Sequence, residues 1–256
     1  METGKPLRVL VVEDDRDTAY TISRLLAKQF AAEVDTALTL QEARQFLADN
    51  HYDIVTLDHQ LPDGDGISLL DELRLRDGHA RGIVITGHGD ELVAVRAFKE
   101  GAAGYVVKDA RMATMLKDAF NKAIASIELE TALKALDESR EELTLIADNV
   151  PLLIAHIGAD RRYIYVNKKY STWMLGTAES FVGKHVSDVI GEQAYAVIGP
   201  QIDRVLKGER VTFVHSFPGV GREGTLKILL VPHVNEKSEV QDYFFFGEDV
   251  EHPQDA

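Results

Sequence analysis

Residues 53–66 read DIVTLDHQLPDGDG, a short apolar run that ends at Asp58 and leads into a turn rich in glycine and proline. The run 54–57 is short and mostly β-branched or aliphatic, so we predict a strand buried on both faces, as in a parallel sheet. Four further apolar runs occur in the first 110 residues, at 7–12, 34–37, 83–85 and 105–107. The strand predicted before Asp58 is therefore one of five short apolar runs in this part of the chain.

The segments between these runs have helical spacing. Two apolar stripes show it: Ile22, Leu25 and Leu26, and then Ala43, Phe46 and Leu47. Thr39 followed by Glu42 is a capping box, which predicts where the second helix begins. Because strand and helix alternate five times, we predict an α/β domain with a doubly wound, five-stranded parallel sheet.

Composition limits the classes of function. The chain has 256 residues, and domains commonly hold about 100–200, so two domains are expected. Its formal net charge of −14 repels phosphate backbones, and nucleic acid is not an expected partner. The absence of cysteine excludes disulfides and thiolate catalysis. We expect no signal peptide, no membrane insertion and a cytoplasmic protein.

Carboxylates follow two of the predicted strands. Asp14 and Asp15 come directly after the first strand, and Asp58 comes directly after the third. The carboxyl ends of parallel strands meet at one edge of the sheet, where sites form at the point of reversed strand order. Like charges in one pocket raise each other's pKa unless a cation is present. A hard cation with oxygen ligands, Mg²⁺, resolves this repulsion.

Two more polar residues end strands at the same edge. Thr86 ends the fourth predicted strand and Lys108 ends the fifth. A carboxylate nucleophile, a metal, a hydroxyl and an ammonium are the groups that phosphoryl transfer to an aspartate needs. Each residue alone has an ordinary interpretation as a turn former, a structural hydroxyl or a solvated charge. Taken together, the positions of these residues at the ends of four strands indicate phosphoryl transfer to an aspartate.

The stretches VLVVEDD (9–15), DIVTLDHQLPDGDG (53–66), IVITG (83–87) and GAAGYVVKD (101–109) resemble the receiver domain of bacterial two-component response regulators. The resemblance covers about residues 6–125, and we assign residues 1–125 to a flavodoxin-like receiver. It implies that a histidine kinase or phosphotransfer protein phosphorylates Asp58. It also implies that Mg²⁺ is bound by Asp14, Asp15, Asp58 and the backbone carbonyl of Gln60.

The resemblance implies further roles. Lys108 would contact the phosphoryl group, and Thr86 and Tyr105 would form the coupled switch that alters the face of the fourth helix, fifth strand and fifth helix. Gln60 and His88 occupy the positions that tune the lifetime of the phosphoryl group. His88 has an equally good interpretation as an ordinary loop histidine.

The chain departs from the family where Asp109, instead of the usual proline, follows the lysine. Because a cis peptide bond before a non-proline residue costs about 2.5–4 kcal/mol, we predict a trans bond with Asp109 capping the next helix. A haloacid-dehalogenase-type phosphatase is an alternative class that also uses an aspartate nucleophile at a strand end. Its general acid would have to stand at position 60, where the side chain of Gln60 cannot donate a proton in that role. Residues 63–66 lack the further ligands of a calcium loop and are interpreted as a turn.

Residues 112–147 contain neither glycine nor proline. One apolar stripe, Phe120, Ile124 and Ile127, gives way to another that is out of phase with it: Leu129, Leu133, Leu136, Leu143 and Ala147. We predict one long helix, or two joined end to end, with a helical linker at 126–146. The second stripe resembles a short coiled-coil seam, and we expect a homodimer that forms through this helix or through the receiver face. The alternative is that each stripe packs only on its own domain.

The remaining apolar runs fall into two groups around a helical middle, at 152–157 and 163–166 and then at 211–217, 226–231 and 243–247. They predict an α+β domain with an antiparallel sheet. The stretches ADNVPLLIAHIGADRRYIYVNKKYSTWMLG (147–176), FVGKHVSDVIG (181–191) and FFFGEDVE (244–251) resemble a PAS domain. We assign it residues 147–250, with a tail at 251–256.

A ligand of the predicted PAS domain is not identified by the sequence. The absence of cysteine excludes cysteinyl–flavin chemistry. Four histidines, His156, His185, His215 and His233, are the candidates for haem ligation, and ordinary core or surface roles are the alternative. Trp173, Tyr165 and Phe213 are candidates for lining a pocket, although such side chains also simply fill cores.

These observations predict a response regulator, not an enzyme with a separate catalytic domain. Phosphorylation of Asp58 would be relayed through the helical linker to a PAS domain that senses or dimerises. One alternative is the regulatory front end of a larger enzyme, a hybrid histidine kinase or diguanylate cyclase, because sequences such as EDVE (248–251) often lead into such modules. Another is a constitutive docking scaffold.

Overall fold

The computed structural model describes residues 6–76, 80–87, 91–218, 221–237 and 239–250. Its contacts divide the chain into two compact units, Met1–Leu136 and Asp137–Ala256. Each unit has its own hydrophobic core and is described by itself.

The first unit holds a five-stranded parallel sheet with strand order β2-β1-β3-β6-β7. Its strands are β1 (Arg8–Val12), β2 (Glu33–Ala37), β3 (Ile54–Asp58), β6 (Arg81–Thr86) and β7 (Gly104–Val107). A two-residue hairpin, β4 (Gln60–Leu61) and β5 (Gly64–Asp65), follows β3. The helices are α1 (Arg16–Phe30), α2 (Leu40–Asp49), α3 (Ser68–Arg76), α4 (Glu91–Lys99) and α5 (Met112–Asn149). The predicted doubly wound fold is confirmed.

The sheet is covered on both faces because its strands bury alternate side chains in opposite directions. Leu10 and Val12 pack with the core under α2 and α3, whereas Val9 and Val11 pack with the core under α1 and α5. All five residues of β3 are buried. The apolar runs of the central strands β1, β3 and β6 follow from this two-sided burial.

The start of α2 shows how local sequence fixes an element. Thr39 Oγ1 accepts a hydrogen bond from Glu42 N at 3.1 Å, and Glu42 Oε2 accepts one from Leu38 N at 2.7 Å. The carboxylate of Asp63 accepts from Leu40 N and Gln41 N, both at 2.9 Å. The free amides of the first turn are thereby paired, and the loop after β3 is tied to α2.

Helix α5 is a single helix of 38 residues. Its first part is held on the sheet by four buried side chains, Leu116, Ala119, Phe120 and Ala123. Arg81, at the start of β6, forms an ion pair with Glu130 and lies 3.4 Å from Ser126 Oγ. The helix is therefore fixed to the first unit up to residue 130.

The second unit holds a five-stranded antiparallel sheet with strand order β10-β11-β12-β8-β9. The strands are β8 (Leu153–Gly158), β9 (Tyr163–Val166), β10 (Val211–Ser216), β11 (Thr225–Val234) and β12 (Val240–Asp249). Three helices, α6 (Lys168–Trp173), α7 (Ala178–Phe181) and α8 (Val186–Val205), lie between β9 and β10. The predicted α+β arrangement, with two strands before the helices and three after, is confirmed.

Candidate functional site

The acidic site lies where the order of the parallel sheet reverses. The chain passes from β1 to its neighbour β2 and then returns to the other side of β1 to form β3. Ligand sites of open α/β sheets lie outside the carboxyl ends of the strands at such a point. Carboxylate oxygens of Glu13, Asp14 and Asp58 lie here within 4.8 Å of one another.

Lys108 bridges two of these carboxylates. Its Nζ donates to Asp58 Oδ2 at 2.6 Å and to Glu13 Oε1 at 2.8 Å. Glu13 is 1% exposed and Asp58 is 7% exposed, so both charges are taken out of water. The bridge joins the ends of β1, β3 and β7 and leaves one ammonium facing two buried carboxylates.

Burial dominates the electrostatics of the pocket. It raises the pKa of Glu13 to about 7, assisted by the Asp58 carboxylate and opposed by Lys108. Burial by itself would lower the pKa of the Lys108 ammonium, but its bonds to Asp58 and Glu13 outweigh burial and raise it. The pocket therefore has more negative than positive charge and accepts another cation readily.

The pocket fits a hard divalent cation such as Mg²⁺. It supplies three carboxylates, and both oxygens of Glu13 lie against Lys108 Nζ, at 2.8 Å for Oε1 and 2.7 Å for Oε2. A cation bound by the carboxylate oxygens would offset the repulsion between them. The predicted magnesium site therefore has a suitable set of donors.

The structure does not bring Asp15 into this cluster. Asp15 caps α1, with its Oδ1 accepting from Thr18 N at 2.7 Å, and its interactions with Thr18 lower its pKa. The third carboxylate is Glu13, which was not among the predicted metal ligands. The signal was available, because Glu13 continues the alternation of Val9 and Val11 on a buried strand, whereas Asp15 stands at an N-cap position.

The structure describes three of the four other predicted site residues. Thr86 is buried at the end of β6, the strand beside β3, and Tyr105 is half-buried on β7. Gln60 N donates to Asp58 Oδ1 at 3.3 Å, and the role of its carbonyl in metal binding stays a prediction. His88 lies outside the described residues. The switch and lifetime roles of these four residues also stay predictions.

The loop after Lys108 agrees with the expectation drawn from Asp109. The peptide bond between the two residues is trans. Asp109 Oδ1 accepts from Arg111 N at 2.7 Å, and Met112 N bonds to the Asp109 carbonyl at 3.0 Å. Asp109 thus caps the start of α5, the helix that leaves the first unit.

The second unit encloses a cavity of about 30 Å³ between its sheet and helices. Trp173 lines it, together with Tyr163, Tyr170 and Tyr243 and mostly aliphatic side chains. Tyr163 and Tyr170 share a hydrogen bond of 2.6 Å between their hydroxyls. Trp173 Nε1 and the Tyr243 hydroxyl are buried without a partner among the described residues. The space is sufficient for about two water molecules.

The remaining pocket candidates do not line this cavity. Tyr165 pairs with His156, whereas Tyr163 pairs with Ile157, because an irregularity at this point inserts Ile164 as an extra residue. The insertion turns Tyr165 away from the face that Tyr163 shares with the core. Phe213 packs at the margin of the core, on the edge strand β10. Histidine is absent from the described residues that line the cavity, so none of the four haem candidates reaches it.

Models of known protein families match both units of the chain. A response regulator receiver domain model matches residues 9–120, and a PAS fold model matches residues 147–253. The fold and the acidic pocket define a flavodoxin-like signalling domain joined to a PAS domain. The chain belongs to the response-regulator family. No described helix has the length and apolar character needed to cross a membrane.

Known relatives resemble the first half of the chain. The chemotaxis protein CheY of Treponema pallidum is 32% identical over 107 residues, which are 41% of this chain and 74% of that protein. The methanogenesis regulatory protein FilR1 of Methanothrix harundinacea is 35% identical over 121 residues, 45% of this chain and 27% of FilR1. Regulatory protein AtoC of Escherichia coli is matched over 22% of its length. The chain thus spans less than two thirds of several relatives.

Proposed function

We propose that the chain is a two-component response regulator in which a histidine kinase phosphorylates Asp58. The observation that supports this most directly is the bridge of Lys108 between Asp58 and Glu13. A structural ion pair requires only one carboxylate, whereas here one ammonium contacts two buried carboxylates, and the exposed Asp14 lies beside them at the reversal point of the sheet. Such an excess of buried negative charge suits a site that admits a cation and a phosphoryl group.

The residues have distinct roles in the proposed transfer. A carboxylate oxygen of Asp58 attacks phosphorus, a new O–P bond forms, and the P–N bond to the donor histidine breaks with its electron pair returning to the imidazole. Lys108 neutralises charge on the phosphoryl oxygens, and Thr86 donates a hydrogen bond to one of them. Mg²⁺, held by Glu13, Asp14 and Asp58, would supply charge neutralisation at the same oxygens.

Intact-mass measurement after incubation with Mg²⁺ and acetyl phosphate tests the proposal. The wild-type chain is expected to gain one phosphoryl group, and peptide mapping is expected to find it on Asp58. The Asp58→Asn variant is expected to gain none, because the amide is not a nucleophile at phosphorus. The control is Asp63→Asn, since Asp63 lies in the same loop but caps α2 instead of facing the pocket.

Absence of an adduct, with a candidate histidine kinase also tried, would contradict the proposed transfer. The chain would then be a constitutive docking scaffold. An adduct that persists in Asp58→Asn would instead assign phosphorylation to another residue.

We further propose that residues 126–146 act as a helical linker that dimerises and relays the signal from a receiver domain, 1–125, to a PAS domain, 147–250. Four leucines of the second stripe, Leu129, Leu133, Leu136 and Leu143, are between 57% and 67% exposed. Their spacing of 4, 3 and 7 is that of a coiled-coil seam, with Arg140 at the skipped position. A second copy of the same helix is the partner that such a seam fits.

Replacing Leu136 with glutamate is expected to weaken dimerisation at least about tenfold, because the substitution places like charges in the seam. Light scattering after size-exclusion chromatography, over a range of concentrations, measures the effect. Leu145→Glu is the matched control, because Leu145 is 65% exposed against 67% for Leu136 but faces away from the seam. A wild-type chain that stays monomeric at all concentrations, phosphorylated or not, would overturn the dimer.

A further inference from the structure

The end of the linker helix is held by one buried amide, that of Asn167. This residue is fully buried between β9 and α6. Its Nδ2 donates to the carbonyl of Ala147, in the last turn of α5, at 2.7 Å. The same nitrogen donates to the carbonyl of Leu152, just before β8, at 2.9 Å. The last carbonyls of a helix lack partners within the helix, so Asn167 pairs one of them from outside.

The other side of the amide faces the PAS core. Asn167 Oδ1 accepts from Ile154 N in β8 and from Tyr170 N in α6, both at 2.9 Å. All four hydrogen-bonding positions of the side chain are therefore used. The orientation of the amide is fixed, because exchanging its oxygen and nitrogen would set donors against donors and acceptors against acceptors.

A second, exposed contact joins the same segments. Asp148 Oδ1 accepts from Lys168 N, the first residue of α6, at 2.7 Å. The last turn of α5 is thus bonded directly to the start of α6, in addition to its link through Asn167. Helix α6 ends at Trp173, the single tryptophan of the chain, which lines the PAS cavity.

We propose that Asn167 is the joint that passes movement of the linker helix into the PAS core. A buried amide with four fully used hydrogen bonds has no free rotamer, so a rotation or shift of the end of α5 must move β8 and α6 with it or break bonds. The joint itself follows from the hydrogen bonds alone. Its use as a relay rests on the proposed phosphorylation of the receiver.

The joint is tested first without phosphorylation. Asn167→Ser keeps an acceptor that caps α6 but is too short to reach Ala147 and Leu152. Hydrogen exchange in the peptide covering residues 145–154 is expected to rise about tenfold, since two hydrogen bonds at the joint are lost. Asn149→Ser is the matched control, because the Asn149 amide is exposed and bonds only locally, to the carbonyl of Leu145. Equal exchange in wild type and Asn167→Ser would overturn the joint.

The relay is tested on samples phosphorylated with acetyl phosphate. Trp173 emission is expected to shift when wild-type Asp58 is phosphorylated, and to stay unchanged in Asn167→Ser at the same phosphoryl occupancy by mass. An identical shift in both proteins, or none in phosphorylated wild type, would overturn the relay. No phosphoryl adduct would contradict the proposed function, while hydrogen exchange would still decide the joint.

A second variant covers the case in which Asn167→Ser does not fold. Asp148→Ala removes only the exposed contact with Lys168 and leaves the Asn167 amide in place. Exchange over residues 145–154 close to that of wild type supports Asn167 as the contact that holds the end of α5. A rise of about tenfold would show that the exposed contact holds it and would overturn the joint.

Discussion

Replacing Lys108 with methionine is expected to lower the free energy of unfolding of the receiver domain by about 3–5 kcal/mol at pH 8 in metal-free buffer. The ammonium is the partner that bridges buried Glu13 and Asp58 at 2.8 and 2.6 Å. Without it, two carboxylates remain in a pocket that water does not hydrate well. Methionine has a similar length, so the loss of packing is small compared with the loss of charge pairing.

The defect is expected to shrink as the pH falls. The pKa of Glu13 is raised to about 7 in the folded protein, chiefly by burial, against an ordinary value of 4.5. The folded state therefore binds more protons than the unfolded state between these values, and stability rises as pH falls through that window. Removing the lysine deprives Glu13 of the group that opposes this shift, so protonation relieves more of the strain in the variant. At pH 5 the loss should be clearly smaller than at pH 8.

Urea unfolding of the full chain at both pH values measures the effect. Far-UV circular dichroism follows both units, whereas Trp173 emission follows only the PAS domain, which separates the two transitions. The double variant Lys108→Met with Glu13→Gln is expected to recover much of the loss at pH 8, because one buried charge is removed. Lys99→Met, at an exposed position of α4, is the control and should change stability by less than about 0.5 kcal/mol. A Lys108→Met protein as stable as wild type at pH 8 would contradict the electrostatic account.

The central strands of the receiver, β1, β3 and β6, were predictable because they are buried on both faces and leave short apolar runs in the sequence. Runs 54–57 and 83–85 lie inside β3 and β6. The capping box at Thr39 was predictable because it depends only on residues three apart. The second support of α2, from Asp63, was not, because it joins residues more than twenty positions apart.

The sequence does not reveal which carboxylates enter the acidic pocket. Three consecutive carboxylates follow β1, so the sequence identifies the position of the pocket but not the side chains that enter it. The choice depends on where the strand stops and the helix starts. The strand alternation carries Glu13 inward, and the N-cap geometry takes Asp15 out to Thr18. A shift of one residue in that boundary would exchange their roles.

The orientation of Tyr165 depended on a feature that the sequence does not reveal. Regular alternation would place Tyr163 and Tyr165 on one face of β9. The extra residue, Ile164, breaks the alternation and separates the two tyrosines. A bulge arises from the pairing of two strands, so the sequence of one strand does not predict it.

Replacing Gly66 with alanine is expected to destabilise the receiver domain by about 3 kcal/mol or more. A Cβ atom at this position would lie 1.9 Å from the backbone carbonyl oxygen of Asp58. The clash involves two backbone segments rather than the flexible end of a side chain, so a change of rotamer does not relieve it. Gly66 N also bonds to the His59 carbonyl at 3.1 Å, which holds the turn against the end of β3.

The same substitution is expected to impair phosphorylation, because relief of the clash must move the backbone of Asp58, the proposed phosphoacceptor. Urea unfolding and intact mass after acetyl phosphate treatment measure the two effects on one preparation. Gly87→Ala is the matched control, since a Cβ there meets no described atom within 4 Å although Gly87 directly follows Thr86. Loss of phosphorylation with wild-type stability would place the effect in the chemistry alone. Gly66→Ala within about 1 kcal/mol of wild type would show that the loop after β3 can shift away from Asp58, and the pocket would then be less rigid than its contacts indicate.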